Sequence, residues 1–355
     1  SISTYYLSRN VFSFVVLNET YLLVCNNVTK YYSGVQRFYV QLIHTGNQSV
    51  AGKKVNILIN VRFYERTVNA TGFTSIPLVL NSGEYLVTTA FNSEGYNISV
   101  TRSVVILPTI YAHDVVKVFR NATQYYAFCT DSEGNPLINT IVSFNINGVF
   151  YNRTTNASGW AKLNLNLGKG NYIITAENSI TGEKIANNIT IISKLETNDL
   201  VKYYRNASQF IVRVVGDNGS YVGAGEIVTF NINGVFYNRT TNESGHAKLN
   251  INLAPGIYTV TSMYMGCSES NTIEVLGVLY ANDLYMHYMD GSKFVVRLVD
   301  GQGRAYPGQQ ITFNINGVLY QRITDDGGEA KLNIRVQAGE YIITSEYNGA
   351  KISNT

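Results

Sequence analysis

Residues 144–167 read FNINGVFYNRTTNASGWAKLNLNL, and residues 230–253 read FNINGVFYNRTTNESGHAKLNINL, with three differences between them. A third copy starts at Phe313 (FNINGVLYQRITDDGGEAKLNIRV), and a diverged one at Asn56 (NILINVRFYERTVNATGFTSIPLVL). Recurrence at so long a fixed period is the mark of a tandem array of small domains. Such arrays build reach and multivalent surfaces. A catalytic cleft needs groups that converge, and near-copies spread their groups out.

Residues 199–282 serve as the template. LVKYYR opens the unit, and QFIVRVV follows with Phe210, Val212 and Val214 alternating inward. After a polar loop comes EIVTFNI, then Asn233-Gly234. Both central residues of a two-residue hairpin turn need positive φ, which Asn and Gly tolerate best. VFYNRT returns, TNESG turns, and the next strand sets Leu249, Ile251 and Leu253 on one face and Lys248, Asn250 and Asn252 on the other. Pro255-Gly256 leads into IYTVTSMY, and NTIEVL closes the unit. Short strands with period-2 alternation, separated by turn signals every ~8–12 residues, predict an all-β fold. The array is read as four immunoglobulin-like antiparallel sandwiches. The Asn-Gly pair recurs at 147–148 and 316–317, but the first repeat has Asn60-Val61. A β-branched residue is poor at positive φ, so that hairpin is expected to take a different shape. Each corner before the penultimate strand carries Gly-x-Tyr, giving Tyr85, Tyr172, Tyr258 and Tyr341. A tyrosine there is expected to bond back to the main chain across the corner, the alternative being a merely packed strand residue.

Aligned starts fall at Asn27, Asp114, Asp199 and Asp283, spaced 87, 85 and 84 residues apart. The expected repeats are 27–113, 114–198, 199–282 and 283–355, with 1–26 as a surplus strand segment. The stretches LPTIYAHD and LGVLYAND read as short, packed linkers, which makes the array a semi-rigid rod. At about 3.3 Å per strand residue, one domain spans roughly 40 Å and four span roughly 160 Å. Thr355 aligns on Thr272, so the fourth repeat reads as lacking its last strand, while NVFSFVVLN near the start reads as an extra one. Two readings compete. A longer array is cut out of phase, or a strand of Val11, Phe12, Phe14, Val15, Val16 and Leu17 from one subunit completes the fourth domain of its neighbour.

The composition is 45% hydrophobic and 14% charged with a formal charge of +3. That charge is too small to argue for nucleic acid or an anionic membrane. No run is long and apolar enough for a membrane span. Low charge with abundant Asn, Thr, Ser and Tyr points to an extracellular polar surface. Three cysteines make no disulfide framework. Cys25 reads as a linker residue, Cys129 as a buried strand residue and Cys267 as a loop residue. His44, His113, His246 and His287 lie in different repeats, none with a partner at ligand or triad spacing, and read as surface or linker residues. No phosphate loop, dinucleotide fingerprint or nucleophile elbow occurs. No cofactor, metal or catalytic residue is expected.

The acidic loops at Asp131, Asp217, Asp300 and Asp325 hold too few oxygens for calcium and read as turn formers. Asp114, Asp199 and Asp283 are candidates for a bridge between domains or for a turn bond. Lys162, Lys248 and Lys331 alternate outward, against an isopeptide cross-link. Trp160 stands where other repeats have Phe73, His246 and Glu329, and an exposed Trp can stack on sugars. Asn-X-Ser/Thr occurs at Asn18, Asn27, Asn47, Asn69, Asn97, Asn121, Asn152, Asn156, Asn188, Asn206, Asn218, Asn238 and Asn242. Glycans are expected at some of these, above all at Asn152, Asn156, Asn238 and Asn242 on outward turn and strand positions.

The phrase TFNINGVFYNRTTN-SG-AKLNINL-PG-Y-VT, followed by SNTI-VL and ND, resembles the immunoglobulin-like repeats of adhesin-like surface proteins of methanogenic archaea. The resemblance covers about residues 27 to 355 and is specific in the second to fourth repeats. It implies a large secreted protein, attached to the cell envelope, that contacts other cells or host surfaces. It supplies no catalytic residues, and no wall-binding or anchor module is recognisable in this sequence. The expected role is a non-enzymatic extracellular stalk whose partners are surface glycans or proteins. The alternatives are a filament subunit that binds itself head to tail, and a carbohydrate- or protein-binding module working through variable loops such as 216–225 and 302–309.

Overall fold

The computed structural model describes the backbone of residues 2–7 and 10–15 and the whole of residues 18–355. Among them every regular element is a β-strand. The chain divides into two compact units, Ser1–Val116 with Thr123–Asn166 and Gly170–Thr190, and Lys117–Ala122 with Leu167–Lys169 and Ile191–Thr355.

The third repeat shows the plan. One sheet has three strands in the order Leu195–Thr197, Gln209–Val214, His246–Asn250. The other has five, in the order Leu200–Tyr203, Cys267–Leu276, Gly256–Tyr264, Ile227–Ile232, Val235–Thr240. All pairings are antiparallel except Leu200–Tyr203 on Cys267–Leu276, where Leu200 lies opposite Ile273 and Tyr203 opposite Leu276 in parallel. The first repeat has the same two sheets, with Val28–Tyr31 parallel to the end of Tyr96–Leu107. The array is thus a tandem of immunoglobulin-like sandwiches, as the alternation required.

Each core sits between the two sheets, and in the second to fourth repeats its centre is the same. Phe210 from the three-stranded sheet meets Phe230 from the five-stranded sheet edge to face, with centroids 6.0 Å apart. Phe294 and Phe313 do the same at 6.1 Å, and Tyr125 and Phe144 at 5.7 Å. Every one of these rings is fully buried or nearly so. The edge-to-face geometry sets the positive ring edge on the negative face, adding about 1 kcal/mol to the area buried.

Several sequence expectations need correction. The stretches read as linkers are strands. Ile110–Ala112, Leu195–Thr197 and Leu279–Ala281 each pair with the first long strand of the repeat that follows. Tyr21–Val24 does the same for the first repeat, pairing with Arg37–His44, so it is not surplus. A three-residue strand is too short to display alternation, which is why it reads as linker. The fourth repeat has a closing strand, since Ala350–Asn354 pairs with Ile343–Tyr347 as the strand opening at Cys267 pairs in the third. Cys267 is therefore a buried strand residue. Cys25 is also buried, and His44 packs edge-on against Tyr21 at 4.8 Å inside the first core rather than on the surface. Val11 to Val15 lie in Asn10–Val15, which pairs antiparallel with Ile2–Leu7. Val16 and Leu17 lie outside the described residues.

The Asn60-Val61 hairpin keeps the shape of its counterparts. Asn60 has φ 45° and Val61 φ 56°, beside 53° and 78° for Asn233-Gly234. Ile59 pairs with Arg62, so two residues must close the turn whatever they are. Val61 is 97% exposed and gains nothing from packing. Relief of a left-handed β-branched residue outweighs the entropy of an added glycine, so Val61→Gly is expected to stabilise the first repeat by about 1 kcal/mol. Slower amide exchange in Lys54–Ile59 and Arg62–Thr67 would register it; unchanged or faster exchange would refute it.

Candidate functional site

No group of three or more His, Cys, Asp or Glu comes together among the described residues. The acidic loops use their carboxylates as turn caps. Asp131 Oδ1 accepts from the main-chain N–H of Glu133 and Asn135, Asp300 Oδ1 from Gln302 and Arg304, and Asp325 Oδ1 from Gly327 and Glu329. Asp217 pairs instead with Lys194 at 2.7 Å. The domain-opening aspartates reach within their own repeats. Asp199 Oδ1 accepts from Thr272 N at 2.9 Å and from Asn271 Nδ2, and Asp114 and Asp283 hold Asn188 and Thr355 in the same way. The main-chain N–H donors hold all three carboxyls below the usual range.

What recurs with most regularity is the junction between repeats. Two residues separate the last strand of one repeat from the first strand of the next, at 107–110, 192–195 and 276–279. The second of each pair is buried: Thr109, Lys194 and Val278. Its carbonyl accepts from the main chain of the following repeat, from Thr130 N, Val215 N and Val299 N, at 2.8 to 2.9 Å. At the first junction a buried carboxylate adds a clasp. Glu183 accepts from Ser82 Oγ, Thr109 N and Thr109 Oγ1 at 2.5 to 2.7 Å. At the last junction Tyr203 lies over Gly303, and Asn206 Nδ2 donates to Gly301 O at 2.6 Å. Asn121 Nδ2 makes the matching bond to Asp217 O at 3.0 Å.

Sequence reasoning missed a second recurring feature. Lys30, Lys117 and Lys202 are buried on the first strand of the five-stranded sheet. Lys202 Nζ donates to the carbonyls of Asn206, Ser208 and Ile251, and Lys30 Nζ to those of Gly34 and Leu78. Lys117 Nζ reaches Asn121 O at 3.0 Å. Burial pushes all three amines below the ordinary lysine range. The signal was present in LVKYYR, where period 2 puts Lys202 on the face of Leu200 and Tyr204. The outward lysines Lys162, Lys248 and Lys331 are exposed, with Lys331 held by Asp325 and Glu329.

At the corners, Tyr85 Oη donates to Asn81 O at 2.8 Å, Tyr258 Oη to Ala254 O at 2.8 Å and Tyr341 Oη to Gln337 O at 3.0 Å. Tyr172 stands at the matching position and is half-buried. The sequons separate into two groups. Asn18, Asn27, Asn47, Asn69, Asn97, Asn152, Asn156, Asn188, Asn218, Asn238 and Asn242 are exposed. Asn121 and Asn206 are half-buried, and the amide nitrogen a glycan would need is spent on the junction. Glycopeptide mapping of the native protein is expected to find sugar within the first group and bare asparagine at Asn121 and Asn206. Sugar on either junction residue would contradict this. Trp160 opens a strand and is 42% exposed.

No family model matches this sequence, and no curated protein does. Among solved structures, a tandem of titin domains aligns over 73% of this chain and 100% of its own, at 12% identity and a TM-score of 0.28. Invasin, a bacterial integrin-binding protein, aligns over 95% of this chain and 78% of its own, at 14% identity and 0.23. A Ca2+-stabilized adhesin with which an Antarctic bacterium binds ice aligns over 94% and 97%, at 17% identity and 0.19.

Proposed function

We propose that this chain is the non-enzymatic stalk of an extracellular, adhesin-like surface protein that holds a contact point away from the cell and transmits the load on it. The observation that carries the reading is the junction. Two residues between strands, one of them buried and pinned by the next repeat, leave no slack to pay out. Within a repeat the load path is matched to this. The strand near the entrance and the strand at the exit are parallel neighbours, as Leu200 and Ile273 show. Pulling on the two ends therefore shears a row of hydrogen bonds together rather than peeling them one at a time. The exposed sequons and the low charge suit an extracellular surface, and the partners are glycans or proteins of other surfaces.

The test uses intact cells of the source organism. Antibodies to residues 199–355 are expected to label them without permeabilisation. In-frame removal of 193–276, one full period, is expected to leave labelling in place and to lower attachment under flow. Labelling only after permeabilisation would overturn the proposal.

A further inference from the structure

The outward face of the three-stranded sheet in the second repeat carries a row of three aromatic rings. Ile110–Ala112, Gln124–Cys129 and Trp160–Asn164 pair in that order. Their register sets Tyr111 opposite Phe128 and Phe128 opposite Trp160. The centroids lie 5.9 Å and 5.2 Å apart, with the planes tilted by 39° and 41°. Alternation points the row away from the core, since Ala127, Cys129 and Ala161 are buried while Tyr111 and Phe128 are half-buried. Phe128 also lies against Gly159, where a Cβ would meet its Cε2 at 2.9 Å. The indole is thus braced on one side by a ring that is itself held, which lowers its ordering cost on binding.

The same position in the other repeats is built for something else. The third repeat has Glu196, Arg213 and His246 in register, and the fourth has Tyr280, Arg297 and Glu329. Trp160 against His246 is one of the three differences between two otherwise identical blocks. The first repeat has Val24, Gln41 and Phe73 there, so where the third and fourth repeats carry charge, the second carries three rings.

The rest of this face is polar and nearly neutral. Tyr126 lies opposite Lys162, and Gln124 opposite Asn164. Gln124 Nε2 donates to Asn164 Oδ1, and Tyr126 Oη to Gln124 Oε1 at 3.1 Å. No carboxylate stands among these outward positions. From the Gln124 row to the Phe128 row is about 13 Å along the strand, enough for two or three sugar units. A pyranose whose hydroxyls are mostly equatorial offers a flat face of C–H bonds and a rim of hydroxyls. The first matches an exposed, braced indole; the second matches a phenol and two amides. Apolar contact with a few placed polar groups is how small-molecule sites fix a ligand.

We propose that this face of the second repeat binds a neutral polysaccharide of β-1,4-linked pyranoses, one sugar stacking on Trp160 and its neighbours bonding to Tyr126, Gln124 and Asn164. The inference does not depend on the stalk reading and places recognition on a sheet face rather than in the variable loops.

Trp160 is the sole tryptophan, so its emission reports directly on the site. Titration of the full chain with cellohexaose or mannohexaose is expected to shift that emission to shorter wavelength and to saturate. Hydroxyethyl cellulose or galactomannan in a native gel is expected to retard the chain. Trp160→His and Phe128→Arg carry residues that the third repeat accommodates at the same places, so the fold is kept. Each is expected to weaken retardation by about tenfold or more. No emission shift with either oligosaccharide and no retardation by either polymer would overturn the proposal. So would retardation that Trp160→His leaves intact, or an emission shift produced by poly-L-proline in place of the sugars.

Discussion

Lys202→Met is expected to destabilise the third repeat by about 3 kcal/mol and leave the first repeat unchanged. Lys202 is 4% exposed, and its ammonium serves the carbonyls of Asn206, Ser208 and Ile251 together. Those three lie on the turn after the first strand and on the segment leading to the tyrosine corner, so one cation joins two loops at the same end of the sandwich. Methionine fills the space but donates nothing. Acceptors left buried without a partner each cost on the order of 1 kcal/mol or more, and their loops no longer share a common anchor. The fourth repeat has Met286 at the aligned position, and its residues 284–287 form no strand. Native-state hydrogen exchange followed by repeat is the measurement, because four domains in one chain do not unfold as one transition. Faster exchange in Gly256–Tyr264 and Cys267–Leu276, with Gly83–Ser93 unaffected, is the expected pattern. Equal protection in variant and parent would mean that the lysine is a bystander.

Gly303→Ala is expected to loosen the last junction by about 2 kcal/mol without unfolding either repeat beside it. Gly303 has φ 80°, a left-handed conformation that costs an L-residue about 1–2 kcal/mol. A Cβ there would also run into the Tyr203 ring. Moving that ring draws the turn away from Gly301 and strains the bond from Asn206. The first junction has the same pairing of Tyr31 with Gly134, so Gly134→Ala should behave alike. Limited proteolysis is expected to cut the variant within 299–306 before it cuts the strands, while the parent resists there. Unchanged resistance would show that the tyrosine follows the loop rather than holding it.

The two-sheet fold was legible because three of the four repeats keep alternation, Asn-Gly turns and Gly-x-Tyr corners in fixed order. Asn145, Asn231 and Asn314 reinforce those turns, each accepting from the second turn residue's N–H, and the motif FNING announces the arrangement. The first hairpin was misread because local preference at Val61 was weighed above register, and register wins when two long strands pair on both sides of a turn. The short strands at 110–112, 195–197 and 279–281 were invisible as strands because their pairing is entirely non-local. The sequons were legible as a motif, but whether an amide nitrogen is free depends on a neighbour ~95 residues away, as for Asn206 and Gly301. Trp160 was visible alone. Its row was not, because Tyr111 and Phe128 reach it only through the register of two sheet pairings.

The central claim is that the repeats are separately folded and joined in series along a line of load. Stretching single full-length chains by their ends tests it directly. The account predicts separate unfolding events, with each of the first three repeats releasing about 30 nm at roughly 3.6 Å per residue. It also predicts that Lys202→Met lowers the force of one such event. Smooth extension without steps, or one step that releases the whole chain, would contradict it.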